Sequence, residues 1–119
     1  MSTSPRSGPH EGLAGRLVGL GRIEIGGLEV AIAAGLRARW LGLAHLDRER
    51  VGTGLLIARC TSIHTFGMRF ALDVHFLDGA LEPIAVVRDV GPRRIVSHRA
   101  AKAVLEVPAG GGEPSPGRA

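Results

Sequence analysis

The segment Arg22-Ile-Glu-Ile-Gly-Gly-Leu-Glu-Val-Ala-Ile32 constrains the fold more than any other stretch of the chain. Two alternating apolar–polar runs flank Gly26-Gly27. A two-residue turn with positive φ at both positions is the connection that matches the twist of paired strands. Closing that turn sets Ile25 opposite Leu28 and Ile23 opposite Val30, all on one face, so turn and pattern demand the same register. The register also sets Glu24 against Glu29 on the other face. Like charges so opposed are mildly unfavourable and are usually solvated, or bridged by a neighbour such as Arg22.

Downstream, the period of two recurs. Leu55 to Ile57 reads as a short strand. Phe70 to Leu77 alternates clearly, with Phe70, Leu72, Val74 and Phe76 on a core face and Ala71, Asp73, His75 and Leu77 on a half-solvated one. Asp78-Gly79 predicts a tight turn, Ile84 to Val90 a returning strand entered through Pro83, and Ala103 to Val107 a last strand before Pro108. Val90 to Arg99 reads as a loop. Between Ala33 and Leu46 the period changes, with Leu36, Trp40 and Leu43 three to four apart, which fits one short helix. These signals predict a mainly β fold, a compact β-sandwich or barrel-like domain with one short helix.

A chain of 119 residues suits one domain. Residues 1–12 and 110–119 are rich in Ser, Pro and Gly and predict disordered tails around a single domain over 13–109. One Trp, three Phe and no Tyr leave an aliphatic core and little for stacking on nucleic-acid bases. The net charge of +4 is carried almost wholly by arginine, Lys102 being the single lysine. That pattern fits a bias in composition. Nucleic-acid binding would need Arg88, Arg93, Arg94 and Arg99 on one face. Cys60 is the single cysteine, so no intramolecular disulfide forms. No basic-then-apolar leader is evident. The longest uncharged apolar run, Val30 to Leu36, falls well short of the about 20 residues that span a bilayer. A cytoplasmic protein without membrane contact is the expectation.

Chemistry-bearing side chains concentrate between Cys60 and His75. His64, Asp73 and His75 are reasonable ligands for zinc or a similar ion and would suit a small metal-assisted hydrolase, although no known ligand spacing is matched. Cys60 with His64 is a nucleophile–base combination whose members need not face each other. His64, Thr65 and Arg69 offer donors to an anion or a carbonyl-rich ligand, with Asp73 holding Arg69 in place. The same residues could instead satisfy loop backbone groups. Neither a dinucleotide-binding glycine fingerprint nor a P-loop is present.

Taken together, Gly54-Leu-Leu-Ile, Ser62-Ile-His-Thr-Phe-Gly-Met-Arg-Phe, Leu72-Asp-Val-His-Phe-Leu-Asp78 and Val104-Leu-Glu-Val-Pro-Ala-Gly110 resemble the domain of unknown function 192 family. Arg39-Trp-Leu-Gly-Leu43 is similar to its Arg-x-x-Gly-Leu stretch. The resemblance implies a compact β domain with a short helix and no established activity. It marks His64, Met68, Arg69, Asp73 and Glu106 as signature positions. Family members often continue past Ala-Gly into a further strand and often carry an export segment. This chain shows neither, which implies a cytoplasmic variant with a sheet edge open to a partner protein. The sequence thus points to a non-catalytic binding or accessory module, without cofactor or assigned catalytic residue. Its candidate binding residues are His64, Thr65, Met68, Arg69, Asp73, His75 and Glu106.

Overall fold

The hairpin forms in the register that its turn demands. In the computed structural model, described over residues 17, 19–33 and 41–115, β1 (Arg22–Ile25) pairs antiparallel with β2 (Leu28–Ile32). Ile25 faces Leu28, Ile23 faces Val30 and Glu24 faces Glu29. Gly26 and Gly27 take φ of +56° and +93°. Arg22 Nε lies 3.8 Å from the Glu29 carboxylate and relieves the facing acids.

Six further strands complete a mainly β architecture. They are β3 (Leu55–Ala58), β4 (Ser62–His64), β5 (Leu72–Leu77), β6 (Pro83–Val90), β7 (Ile95–Ser97) and β8 (Ala103–Pro108). One sheet runs β1-β2-β3-β8-β5-β6, and β4 with β7 forms a separate two-stranded sheet. β2 pairs parallel with β3, whereas β8 is antiparallel to both β3 and β5. The Asp78-Gly79 turn widens into a loop over 78–82, where Asp78 Oδ1 accepts the Ala80 and Glu82 N–H groups. Residues 34–40 of the helix expected between Ala33 and Leu46 lie outside the described residues, as does the expected N-terminal tail. Arg48–Arg50 forms a single 3₁₀ turn. Among the described residues no helix is long and apolar enough to cross a membrane.

The large sheet buries both faces. On one, Leu55, Ile57, Leu72, Val74, Phe76 and Val104 pack with Leu43, Val51, Ile63 and Met68. On the other, Leu56, Leu77, Leu105 and Val107 pack with Ile25 and Val30 of the hairpin. We call these the core face and the hairpin face. β5 is buried along its whole length, so the half-solvated face expected for Asp73 and His75 does not exist. It fails because β5 is an inner strand whose second face carries an apolar cluster of its own.

Asp73 has a structural role there. Between Leu72↔Val90 and Val74↔Val87, two steps along β5 meet three along β6, so β6 bulges. Asp89, inside the bulge, takes φ of +55°. Its N–H, turned out of the ladder, donates to Asp73 Oδ1 at 2.8 Å. Asp73 Oδ2 accepts the Gly110 N–H at 3.2 Å, and Arg88 stands 3.9 Å away. That second bond begins a strap over residues 110–115. Arg88 bonds Glu113, Pro114 is buried, and the Ser115 N–H donates to the Gly26 carbonyl. One short segment thus joins the edge strand β6 to the hairpin turn at the opposite edge, which marks a strongly curled sheet. The tail expected to begin at Gly110 is therefore docked through Ser115, with Gly112 letting the chain lie close to Leu28.

Replacing Asp73 by Ala would strand two backbone donors at a buried site. The expected cost is about 3 kcal/mol by urea denaturation, with Asp73→Asn, which keeps one of the two acceptor oxygens, losing less.

Candidate functional site

The short sheet β4–β7 lies over the core face, and Thr65 fastens it there. Thr65 is fully buried; its hydroxyl donates to the Gly91 carbonyl at 2.7 Å and accepts the Arg94 N–H at 2.8 Å. Its own N–H donates to the Arg94 carbonyl. These bonds answer the need of a crossing loop to satisfy its backbone. They also place β7 beside β4, with His64 opposite Ile95.

Beneath that small sheet is a cavity of about 260 Å³. Ile57, Ile63, Ile95 and Leu41 supply apolar walls, and Cys60, Ser62, His64 and Glu106 supply polar groups. Glu106 gets there through the register of β8. It pairs with Leu55 on β3 and Val74 on β5, which puts it on the core face among apolar side chains, only 3% exposed. Gly42 presses against its carboxylate: a Cβ at Gly42 would lie 2.7 Å from Oε1, and φ there is +55°. The position needs glycine on both counts. At the rim, the rings of His64 and Phe66 lie 5.7 Å apart, and Ile95 is 68% exposed. Nδ1 of His64 accepts the Phe66 N–H at 3.2 Å, which assigns the proton of the neutral ring to Nε2.

The structure divides the residues singled out from the sequence into separate places. His64 and Glu106 share the cavity, Thr65 fastens its roof, and Met68 is a core residue. Arg69 is elsewhere. Its guanidinium pairs with Asp47 at 3.0 Å rather than with Asp73, and both partners are exposed. Asp73 is turned to the opposite face, where its oxygens hold the bulge and the strap, so it cannot reach round to Arg69. Exposed pairs of the Arg69–Asp47 kind contribute about 0–1 kcal/mol. His75 also lies on the hairpin face, 2% exposed, and its Nε2 has no hydrogen-bond partner among the described residues. Burial pushes its pKa below the ordinary histidine value, Glu113 and Asp73 partly opposing the shift and Arg88 reinforcing it.

Among the described residues no three His, Cys, Asp or Glu side chains are placed to hold a metal ion. His64 on one side of the sheet, with Asp73 and His75 on the other, therefore does not make the convergent set of a metal-assisted hydrolase. Cys60 and His64 do share the cavity, but the thiol donates to the Ser62 carbonyl at 3.1 Å. Arg88, one of the four arginines needed for a nucleic-acid face, is engaged by Asp73 and Glu113. Sequence reasoning did not single out Ser62 or the three isoleucines of the cavity, which carry no distinguishing local pattern, and met Gly42 only within the family-like stretch Arg39-Trp-Leu-Gly-Leu43.

Gly42→Ala would force a left-handed conformation on a residue with a Cβ and drive that Cβ into Glu106. A loss of about 1–3 kcal/mol is expected, read as a lowered urea midpoint.

A family model described as DUF192, uncharacterised, matches residues 21–114. Two solved structures share the fold. A candidate transcription regulator from Sinorhizobium meliloti 1021 is 20% identical with a TM-score of 0.58, over 79% of this chain and 86% of that one. A protein of unknown function from Novosphingobium aromaticivorans DSM 12444 is 16% identical with a TM-score of 0.60, over 90% and 89%. At these identities the likeness is one of fold alone. No curated protein matches the chain significantly.

Proposed function

Since the chain belongs to the DUF192 family, which carries no assigned activity, we propose that it is a small binding module whose ligand site is the cavity between the β4–β7 sheet and the core face. The observation that carries this reading is a buried carboxylate, Glu106, facing a cavity whose other walls are mostly aliphatic. A pocket of that make-up recognises a small organic molecule by covering an apolar body and orienting a polar group. Ile57, Ile63 and Ile95 would cover the body, and Glu106 with His64 would orient the polar end. Thr65 serves this reading as the residue that keeps the roof in position.

The reading is non-catalytic. The thiol of Cys60 is bonded to a carbonyl, and the side chains of the hydrolase alternative lie on two faces of the sheet. For a partner protein, the edge strand β6 is the surface to consider, with Ile84, Val86 and Val87 each exposed by 37–40%. An edge of that kind offers unpaired backbone groups to an added strand.

Ser62 is an exposed residue of β4 that lines the cavity, so Ser62→Trp should obstruct the opening without disturbing the core. Small organic fragments screened by ligand-observed NMR should bind the unaltered chain and lose that binding in Ser62→Trp, with the thermal midpoint nearly unchanged. Fragments that bind both proteins equally, or neither, would contradict the proposal.

A further inference from the structure

The strap over residues 110–115 is attached at few points, and the group next in line beneath its first attachment is a buried histidine. Along the hairpin face of β5, Asp73 is followed by His75. Asp73 Oδ2 takes the Gly110 N–H that begins the strap, Arg88 on β6 takes Glu113 from its middle, and the Gly26 carbonyl takes the Ser115 N–H near its end. His75 itself is 2% exposed, with Nε2 lacking a hydrogen-bond partner among the described residues. From these observations we propose that His75 is an acid-sensitive latch, whose protonation loosens the strap and uncovers the hairpin face.

A neutral imidazole can leave one nitrogen unbonded in an apolar setting at moderate cost, whereas an imidazolium carries two donors and a charge that must be solvated or paired. Among the described residues, the charged groups whose fields act on His75 are Asp73 on its own strand, Arg88 on β6 and Glu113 in the strap. On β8 the facing residue is Leu105, which is apolar. Both Asp73 oxygens already accept backbone N–H groups, and Glu113 is bonded to Arg88. A charged His75 therefore has two routes to satisfaction. It competes with Gly110 or Arg88 for those carboxylates, or it admits water. Either route weakens an attachment of the strap.

The direction in pH follows from burial. Because burial is the largest influence and lowers the folded-state pKa, the open form binds the proton more tightly than the closed one. The closed form is thus favoured fully above the ordinary histidine pKa of about 6.5. It loses ground as pH falls from there towards the depressed folded value, below which the loss is complete.

Hydrogen exchange of the full chain, corrected for intrinsic rates, tests this between about pH 7.5 and about pH 5, a range that brackets ordinary histidine titration. Protection over residues 110–115 should fall severalfold on acidification while amides of β3 and β8 hold. His75→Leu should remove the fall, and His98→Gln should leave it in place. Should His75→Leu fail to fold, the unaltered protein still decides: the ring resonances of His75 and the amide resonances of the strap should titrate with one midpoint. Strap protection that is indifferent to pH, that falls equally in His75→Leu, or that titrates apart from the ring overturns the latch.

Discussion

The two-sided pairing of β8 is the constraint on which the other features depend. β8 lies between β3 and β5 and is antiparallel to both. Its six residues are all buried, so each face must be filled by what that face meets. Leu105 and Val107 go to the hairpin face, Val104 and Glu106 to the core face. A slip of one residue would exchange these sets, sending an acid into the hairpin cluster and leucine into the cavity. Such a slip is resisted from both neighbouring strands at once. The polar end of the cavity is therefore a consequence of sheet register, and Gly42 completes it by letting a loop backbone approach the carboxylate.

The opposite face is organised by a different carboxylate. Asp73 absorbs the two N–H groups that a bulge and a chain reversal leave without ladder partners. A bulge increases local twist and bends its strand, and here it sits in the edge strand whose Arg88 receives the strap. Curl, bulge and strap support one another. The two buried acids among the described residues thus have separate work: Glu106 faces a cavity, whereas Asp73 satisfies backbone. Residue type alone does not distinguish them; the face of the sheet does.

This division explains what the sequence could disclose. The β1–β2 hairpin was legible to the residue because a Gly-Gly turn and two alternating runs specify one register independently. β5 was legible as a strand from its period of two, and β8 as a short, mostly apolar run that Pro108 ends. β4 and β7 were not, because three residues cannot display a period and both are held by Thr65 and backbone bonds rather than by an apolar pattern. The polar cluster from His64 to His75 was found, but its unity was an artefact of adjacency along the chain. Alternation turned Asp73 and His75 away from His64, and Arg69 left for Asp47 along a loop whose path no local pattern encodes. Glu106 and Gly42 meet across 64 positions of sequence, and only the family resemblance marked both.

The central claim, that the cavity under β4–β7 is the ligand site, is tested most directly by methyl NMR on isoleucine-labelled protein during titration with a bound fragment. The seven isoleucines sample the molecule well: Ile57, Ile63 and Ile95 line the cavity, Ile23, Ile25 and Ile32 belong to the hairpin face, and Ile84 marks the β6 edge. The account predicts shifts confined to Ile57, Ile63 and Ile95. Shifts centred on Ile84, or on the hairpin isoleucines with the cavity set unmoved, would contradict it.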